Sequence, residues 1–337
     1  MSVFEQYRLR LERKDRRYRA LHRGRLDLRP IRKKILDVPK DAVVLFSVIR
    51  NERPRLPFFL DYYRKLGVGH FCFVDNQSDD ETEAYLLDQP DVSLWHASGS
   101  YARAAYGVHW INCLLGRYAK GRWCLTVDAD EFFVFPHCDT RPIQALTDWL
   151  DSAGTDSFPT LLLDLYPQGD IKDAAVSEGE DPLAAAPYFD SGNYSALLNR
   201  KYRNIWIQGG PRQRVFFPSR PEQAPALNKI PLVKWRRGYV YMGSTHSLLP
   251  RRLNQTYHEE GGQNASGVLL HAKFIQSFLD KVSEEEQRGM HYEESREYEL
   301  YAKAMRRGMP LYTDHSLPFE GWRQLQNLGL MSQAGWA

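Results

Sequence analysis

The sequence lacks several features that would assign it to a familiar class of protein. No apolar run reaches the roughly 18 residues needed to cross a bilayer, and the start lacks the charged-then-apolar order of a secretion signal. No G-x-G-x-x-G follows the first predicted strand and no G-x-x-x-x-G-K-S/T occurs, which counts against dehydrogenases and P-loop enzymes. His258 does not begin an H-E-x-x-H motif, because Gly262 stands in the place of the second histidine. We therefore expect a soluble, cytoplasmic protein of another class.

Cysteine is also scarce. The 337 residues include four cysteines, at positions 72, 113, 124 and 138, and none belongs to a C-x-x-C pair. Cys72 and Cys124 lie in predicted strands, so buried free thiols are a better interpretation than a zinc site or disulfides. The apolar fraction of 43% and the aromatic fraction of 13% argue against disorder. The chain is long enough for one large domain or two modest ones.

Positive charge is concentrated at the start of the chain. Residues 1–40 hold fourteen Lys or Arg against five acids, although the whole chain carries only +3. Apolar side chains recur at helical spacing among these arginines, which predicts a basic amphipathic arm. Such an arm would lie on an anionic membrane face or beside a polyanionic acceptor, or else pack on its own domain with a solvated basic face. A peripheral membrane contact would then involve residues 1–38. The apolar positions are Phe4, Tyr7, Leu11, Tyr18 and Leu21.

Five predicted strands alternate with helices between residues 43 and 166. The strands are short apolar runs rich in β-branched and aromatic residues, whereas the helices carry apolar residues on one face. This alternation predicts an α/β fold with a mostly parallel, Rossmann-like sheet flanked by helices. We assign residues 41–167 to this half, which is expected to bind a nucleotide. The predicted strands are 43–49, 70–74, 92–96, 123–127 and 160–166, and the helices include 106–118 and 143–150.

Three carboxylates follow the fourth predicted strand. Asp128, Asp130 and Glu131 interrupt an apolar run that resumes at Phe132. Ligands of open α/β sheets bind beyond the carboxyl ends of the strands, where these acids would lie. Carboxylate oxygens at Asp-x-Asp spacing suit Mg²⁺ or Mn²⁺ better than a soft metal. The sequence therefore predicts a divalent-cation site at this strand end.

Residues 168–310 form a more irregular half, which we expect to contact the acceptor and phosphate, and residues 311–337 a C-terminal tail. Arg212 and Arg214 stand at alternate positions, so in an extended segment they would lie on one side. Such a pair could clamp phosphate oxygens or remain solvated. His246 and His271 each lie at or near an apolar run, where a histidine is more often a core residue than a ligand.

The order of several short motifs resembles the bacterial family-two-type glycosyltransferases with a GT-A-type fold. The motifs are Arg50-Asn-Glu, Leu66-Gly-Val-Gly-His-Phe, Val74-Asp-Asn-Gln-Ser-Asp and Val127-Asp-Ala-Asp-Glu-Phe-Phe. Later blocks, Gly210-Pro-Arg-Gln-Arg, Lys229-Ile-Pro-Leu-Val-Lys-Trp, Ser244-Thr-His and Leu270-His-Ala-Lys-Phe, resemble the downstream part of the same group. The resemblance covers roughly residues 43–310.

The resemblance implies a role for each matching position. Arg50, Asn51 and Asp75 would contact a nucleotide-diphospho-sugar, the last two at its base and ribose. Asp128 would reach the ribose or the metal, and Asp130 would hold the divalent cation, Mn²⁺ or Mg²⁺. His271 would complete the metal site, which reverses its interpretation as a core residue. The cations that would offset charge on the departing nucleoside diphosphate are Arg212, Arg214 and Lys273.

The expected activity is metal-dependent transfer of a sugar, as in a hexosyltransferase, to a cell-envelope, polysaccharide or lipid-linked acceptor. An inverting enzyme also needs a carboxylate base; Asp190 is the first choice, with Asp164 and Glu222 open. One alternative is a nucleotidyltransferase, although the glycine-rich, lysine-bearing first loop of that class is missing. Another is a nucleotide-sugar-binding docking protein without catalysis. Nucleic-acid binding is not expected, because the basic residues form no recognisable module.

Overall fold

The computed structural model describes residues 3–254, 264–279, 300–301 and 310–336. The helices are α1 Val3–Asp27, α2 Leu56–Lys65, α3 Thr82–Asp88, α4 Val108–Tyr118, α5 Ile143–Ser152, α6 Pro182–Ala185 and α7 Trp322–Asn327. The strands are β1 Leu28–Arg32, β2 Val44–Ile49, β3 His70–Asp75, β4 Val92–Ala97, β5 Trp123–Thr126, β6 Glu131–Val134, β7 Ser157–Asp164, β8 Tyr188–Asp190, β9 Tyr194–Asn199, β10 Asn204–Gly209, β11 Asn228–Lys234, β12 Val240–Gly243, β13 Ser247–Leu249, β14 Gly267–His271 and β15 Ser316–Pro318.

A nine-stranded sheet forms the centre of the molecule, in the order β1-β4-β3-β2-β5-β11-β7-β14-β6. The pairs β4/β3, β3/β2, β2/β5 and β7/β14 are parallel. The strands β1, β11 and β6 run antiparallel to their neighbours. Six of the nine strands therefore share one direction, which confirms the predicted α/β fold with a mostly parallel sheet flanked by helices.

The two faces of the sheet are covered by different helices because alternate strand residues point to opposite sides. Leu45 of β2 faces a core that includes α2 and α5. Its neighbours Val44 and Phe46 face a second core that includes α4. The inner strands are thus apolar on both sides, as expected for buried parallel strands.

Helix α1 packs on α4 and on β12. Its buried residues are Leu9, Ala20, Gly24 and Asp27, and Asp27 accepts a 2.9 Å hydrogen bond from the indole of Trp110. These are not the apolar residues that define the predicted stripe. The arm is therefore a helix that packs on its own domain through the face opposite to the predicted one.

Residues beyond 168 are less irregular than the sequence predicts. Strand β11 lies between β5 and β7, and β14 pairs with β7 and β6, so both belong to the central sheet. Three two-stranded sheets, β9/β10, β12/β13 and β8/β15, surround it. All four cysteines are free thiols; Cys72, Cys113 and Cys124 are buried, as predicted, whereas Cys138 is partly exposed. Among the described residues, no helix is long and apolar enough to cross a membrane.

Candidate functional site

Polar side chains from several strands meet at one edge of the central sheet. Asp75 ends β3 and Asp164 ends β7, while His271 ends β14, and these strands run in the same direction. Lys229 is the second residue of the antiparallel strand β11 and Glu131 is the first of β6, so both lie at this edge. The sequence places charge here because each buried apolar run gives way to polar residues where its strand leaves the core.

His271 is held between two carboxylates. Its Nε2 lies 3.4 Å from Oδ2 of Asp130. Its Nδ1 donates a 2.7 Å hydrogen bond to Oδ1 of Asp164. Arg212 donates two bonds to the same Asp164 carboxylate, at 2.7 and 2.8 Å. Because Asp164 fixes one ring nitrogen, the other is directed at Asp130, the arrangement that orients histidine ligands in metal sites.

Electrostatics in this cluster oppose the effect of burial. Burial disfavours the imidazolium form of His271, but Asp130 and Asp164 outweigh it and raise its pKa. Burial likewise disfavours the Asp164 carboxylate, yet Arg212 and His271 keep its pKa well below the ordinary value. The Asp164 side chain is 1% exposed and that of Arg212 is 6% exposed. Asp164 is therefore an ionised group whose oxygens are engaged by its neighbours.

Asp128 belongs to a second ion cluster beside the first. Lys229 donates a 2.6 Å bond to Glu131 and a 3.4 Å bond to Asp128. Glu131 in turn accepts a 3.1 Å bond from the backbone N–H of Asp128. Burial lowers the pKa of Lys229, but the two acids outweigh it and raise the pKa. Lys229 thus supplies a fixed positive charge next to the Asp-x-Asp motif.

The predicted metal ligands are only partly assembled. Asp130 and His271 face each other, whereas the Asp128 side chain is 58% exposed and turned toward Lys229. Within the ranges that the structure describes, one set of three side chains has potential metal-ligand atoms that all lie within 4.8 Å of one another. This set is Asp75, Glu83 and His96. The donor set of Asp130 and His271 nevertheless fits a divalent cation, because one ring nitrogen of His271 is oriented by Asp164.

A cavity of about 40 Å³ lies next to Asp128. It lies between β2 and β5. The chain forms β3 and β4 on one side of β2 and then returns to form β5 on the other side. Such switch points are the usual ligand sites of open α/β sheets. Ser47 Oγ and Thr245 Oγ1, both in its wall, are buried and have no hydrogen-bond partner in the described part of the chain. The wall also includes Tyr101, Tyr106, Gly107, Thr126, Glu131 and Lys229.

The other predicted nucleotide contacts form a network at the ends of β2 and β3. Asn51 has a positive φ of 52°. Its side chain accepts a 2.9 Å bond from the backbone N–H of Asp79, and its own N–H donates to Ser78. Ser78 donates both its hydroxyl and its backbone N–H to Asp75. Arg50 donates a 3.5 Å bond to the carbonyl of Asn76. These residues thus fix the two loops against each other.

The structure gives the predicted phosphate-binding cations other partners. Arg212–Phe216 is a π-helical turn, not an extended segment, so the two arginines diverge. Arg214 donates to both oxygens of Asp190, at 2.8 and 2.9 Å. Tyr166 also donates to Asp190. The ammonium group of Lys273 lies 5.3 Å from the ring of Phe278. Glu222 is exposed on a 3-10 turn.

Two cations of the site were not assigned a role by the sequence. Lys229 is the second residue of the central strand β11, which the sequence pattern does not predict. Arg55 lies 3.7 Å from Oδ2 of Asp130 and 3.7 Å from Oε2 of Glu52. Arg55 falls between a polar strand end and helix α2, where a sequence gives no sign of which residues face the site.

No protein-family model matches the chain, and no curated protein matches it. Among solved structures, the chain is similar to the inositol-1-phosphate CTP transferase from T. maritima, at 12% identity over 89% of this chain and 98% of that one, with a TM-score of 0.27. It is also similar to a UDP-glucose pyrophosphorylase complexed with UDP-glucose, at 9% identity over 58% and 76%, with a TM-score of 0.29. A third similar structure, 4-diphosphocytidyl-2C-methyl-D-erythritol synthase, has 18% identity over 43% and 70%, with a TM-score of 0.26. None of these names describes a glycosyltransferase, and at these scores the likenesses do not bear on activity. The resemblance seen in the motifs stays a prediction.

Proposed function

We propose that the protein is a metal-dependent glycosyltransferase that uses a nucleotide-diphospho-sugar donor. The observation that carries the proposal is the pairing of Asp130 with His271 at the carboxyl edge of the sheet, with Asp164 fixing the far nitrogen of the ring. This pairing joins a motif acid to a histidine far along the chain, as the resemblance implies. The acceptor is proposed to be a cell-envelope glycan, a polysaccharide or a lipid-linked sugar.

The donor would lie across the ends of β2, β3 and β5. Asn51 and Asp75 would face its base and ribose, and the diphosphate would lie near Asp130 and His271. Ser47 and Thr245 could bond to hydroxyl or carbonyl groups of the donor, because their side-chain oxygens are buried and have no hydrogen-bond partner among the described residues. A divalent cation held by Asp130, His271 and Asp128 would supply charge stabilisation of the departing diphosphate.

The fixed cations of this chain are proposed to share that task. Lys229 is buried beside Asp128, and Arg55 is within 3.7 Å of Asp130, so both are held in place before a donor arrives. Preorganised charge of this kind stabilises a developing anion without the cost of reorientation. Arg212 acts indirectly in this proposal, since it holds the carboxylate that orients His271.

Asp190 is retained as the proposed base. It accepts a hydrogen bond from Tyr166, which lies two residues beyond Asp164 in the chain. Its ion pair with Arg214 would have to open for it to accept a proton. Asp190→Asn should therefore abolish sugar transfer and leave donor binding intact. Near-normal turnover of this variant would remove Asp190 from the mechanism and leave Asp164 or Glu222.

The experiment that tests the activity measures product from two kinds of substrate. The protein is incubated with Mn²⁺ and a panel of UDP- and GDP-sugars, and nucleoside diphosphate release is followed with and without oligosaccharide or lipid-linked acceptors. Parallel reactions with nucleoside triphosphates and sugar phosphates report pyrophosphate release. Diphosphate release that is lost in Asp130→Ala is expected. Pyrophosphate release would favour nucleotidyl transfer, and binding without either product would favour the docking protein.

A further inference from the structure

Helix α1 has a second apolar face that is exposed in the part of the protein the structure describes. Leu9 and Ala20 lie on the buried side, 8% and 2% exposed. At about 100° per residue, the opposite side of the helix carries the predicted apolar residues. Tyr7 is 58% exposed and Tyr18 is 69% exposed. The remaining members of this face, also exposed, are Phe4, Leu11 and Leu21.

Basic side chains border the exposed apolar face on both sides. At the same helical spacing, Arg10 and Arg17 fall on one flank, and Arg8 and Arg19 on the other. The helix holds nine Lys or Arg against four acids. The helix therefore has a formal net charge of +5, although Asp15 offsets the charge of Arg19 on its own flank. Glu12 binds Lys201 and Tyr202, Asp15 binds Arg19, and Asp27 binds Trp110.

The β9–β10 hairpin is anchored to this helix through its turn and carries further exposed apolar residues. Its turn is joined to α1 by Lys201, which donates a 2.9 Å bond to Glu12. Leu197 and Leu198 on the hairpin are 66% and 61% exposed. The turn also carries Arg200 and Arg203. The hairpin thus adds exposed leucines and arginines to the protein surface, and its turn is fixed to α1.

We propose that the exposed face of α1 docks on a bilayer surface that contains anionic phospholipid headgroups. Amphipathic helices with basic flanks and aromatic or leucine side chains lie in the plane of such surfaces, with the apolar residues between the headgroups. A second copy of the chain is a poorer fit, because a symmetric contact would bring the basic flanks together. A soluble polyanion is also a poorer fit, because it offers nothing for Tyr7, Leu11 and Tyr18 to pack against.

Vesicle sedimentation tests this inference independently of the proposed activity. The full chain is mixed, without nucleotide or metal, with vesicles of phosphatidylcholine alone or of phosphatidylcholine with phosphatidylglycerol. The protein is expected to sediment with the anionic vesicles and to remain in solution with the neutral ones. Raising the salt concentration should weaken the binding, because the headgroup attraction is screened.

Two variants separate the apolar and ionic contributions. Replacement of Tyr7, Leu11 and Tyr18 by Ser should lower the partition coefficient by about tenfold or more. Arg10→Gln with Arg17→Gln should weaken binding to anionic vesicles only. Leu36→Ser is the matched control, because Leu36 is 66% exposed but lies outside α1, and it should bind like the unaltered chain.

Three results would overturn the inference. The first is an unaltered chain that stays in solution with both kinds of vesicle. The second is a triple serine variant that sediments as well as the Leu36→Ser control while circular dichroism shows both to be folded. The third is a concentration-dependent dimer that the triple serine variant abolishes, together with no vesicle binding, which would assign the face to a second copy.

Discussion

Asp164→Asn tests the candidate metal site through a neighbour of a ligand instead of the ligand itself. Asparagine keeps an oxygen that can accept the 2.7 Å bond from Nδ1 of His271, but it loses the negative charge. Loss of such an orienting partner weakens metal binding about 10- to 100-fold, which corresponds to about 1.4–2.7 kcal/mol. We therefore expect Mn²⁺ to bind this variant about 10- to 100-fold more weakly by calorimetric titration with nucleotide present.

The same substitution should lower the free energy of unfolding, because Arg212 loses its charged partner in a buried position. An uncompensated buried charge costs about 3–5 kcal/mol. Asp190→Asn is the matched control, since Arg214 holds Asp190 by two similar bonds. Its stability loss in urea should be smaller because the Arg214 side chain is 22% exposed, and its Mn²⁺ affinity should not change. The reasoning would be refuted if Asp164→Asn bound Mn²⁺ as tightly as the unaltered chain. It would also be refuted if Asp164→Asn and Asp190→Asn lost the same free energy of unfolding.

Three further predictions concern stability, each measured by urea or thermal unfolding. Lys229→Met should cost about 3–5 kcal/mol because the buried Glu131 loses the cation that pairs with it. Lys229→Met combined with Glu131→Gln should recover most of that loss, and a double variant no more stable than the single one would contradict this. Burial lowers the pKa of His70 to about 4, below the unfolded value of 6.5, so protonation favours the unfolded chain. The free energy of unfolding should then fall by at most about 3 kcal/mol as the pH drops from 6.5 to 4. His70→Gln should remove this part of the decline. If the variant shows the same pH profile as the unaltered chain, the role given to His70 is wrong. Gly24→Val should cost about 1–3 kcal/mol, because a Cβ there would collide with Cys113 of α4; an unchanged melting temperature would show that α1 does not pack as described.

The first half of the fold was predictable because its strands are buried on both faces. Apolar runs ending in polar residues located β2 to β5 close to their observed bounds. Their alternation with helices was enough to predict a mostly parallel sheet. Strand β11 was missed because its neighbours in the sheet, β5 and β7, are far from it in the chain. Local pattern does not show such long-range antiparallel pairing.

Side-chain partners were much less predictable than strands. The sequence indicated that Arg212 and Arg214 are basic, but only the structure pairs them with Asp164 and Asp190. The apolar residues of α1 were expected to mark the face that packs, if any face did. The packing face instead uses small residues such as Gly24, whose lack of a side chain permits close approach to α4. Small residues give no hydrophobic signal, so this choice of face was not visible in the pattern.

The most direct test of the central claim is calorimetric titration of the protein with UDP and GDP, with and without Mn²⁺. The unaltered chain is compared with Asp130→Ala and with Asp61→Ala, which removes an exposed carboxylate paired with Lys65 outside the site. The account predicts Mn²⁺-dependent binding of one nucleotide, lost in Asp130→Ala and retained in Asp61→Ala. Absence of binding by the unaltered chain under every condition, or equal binding by Asp130→Ala, would contradict it.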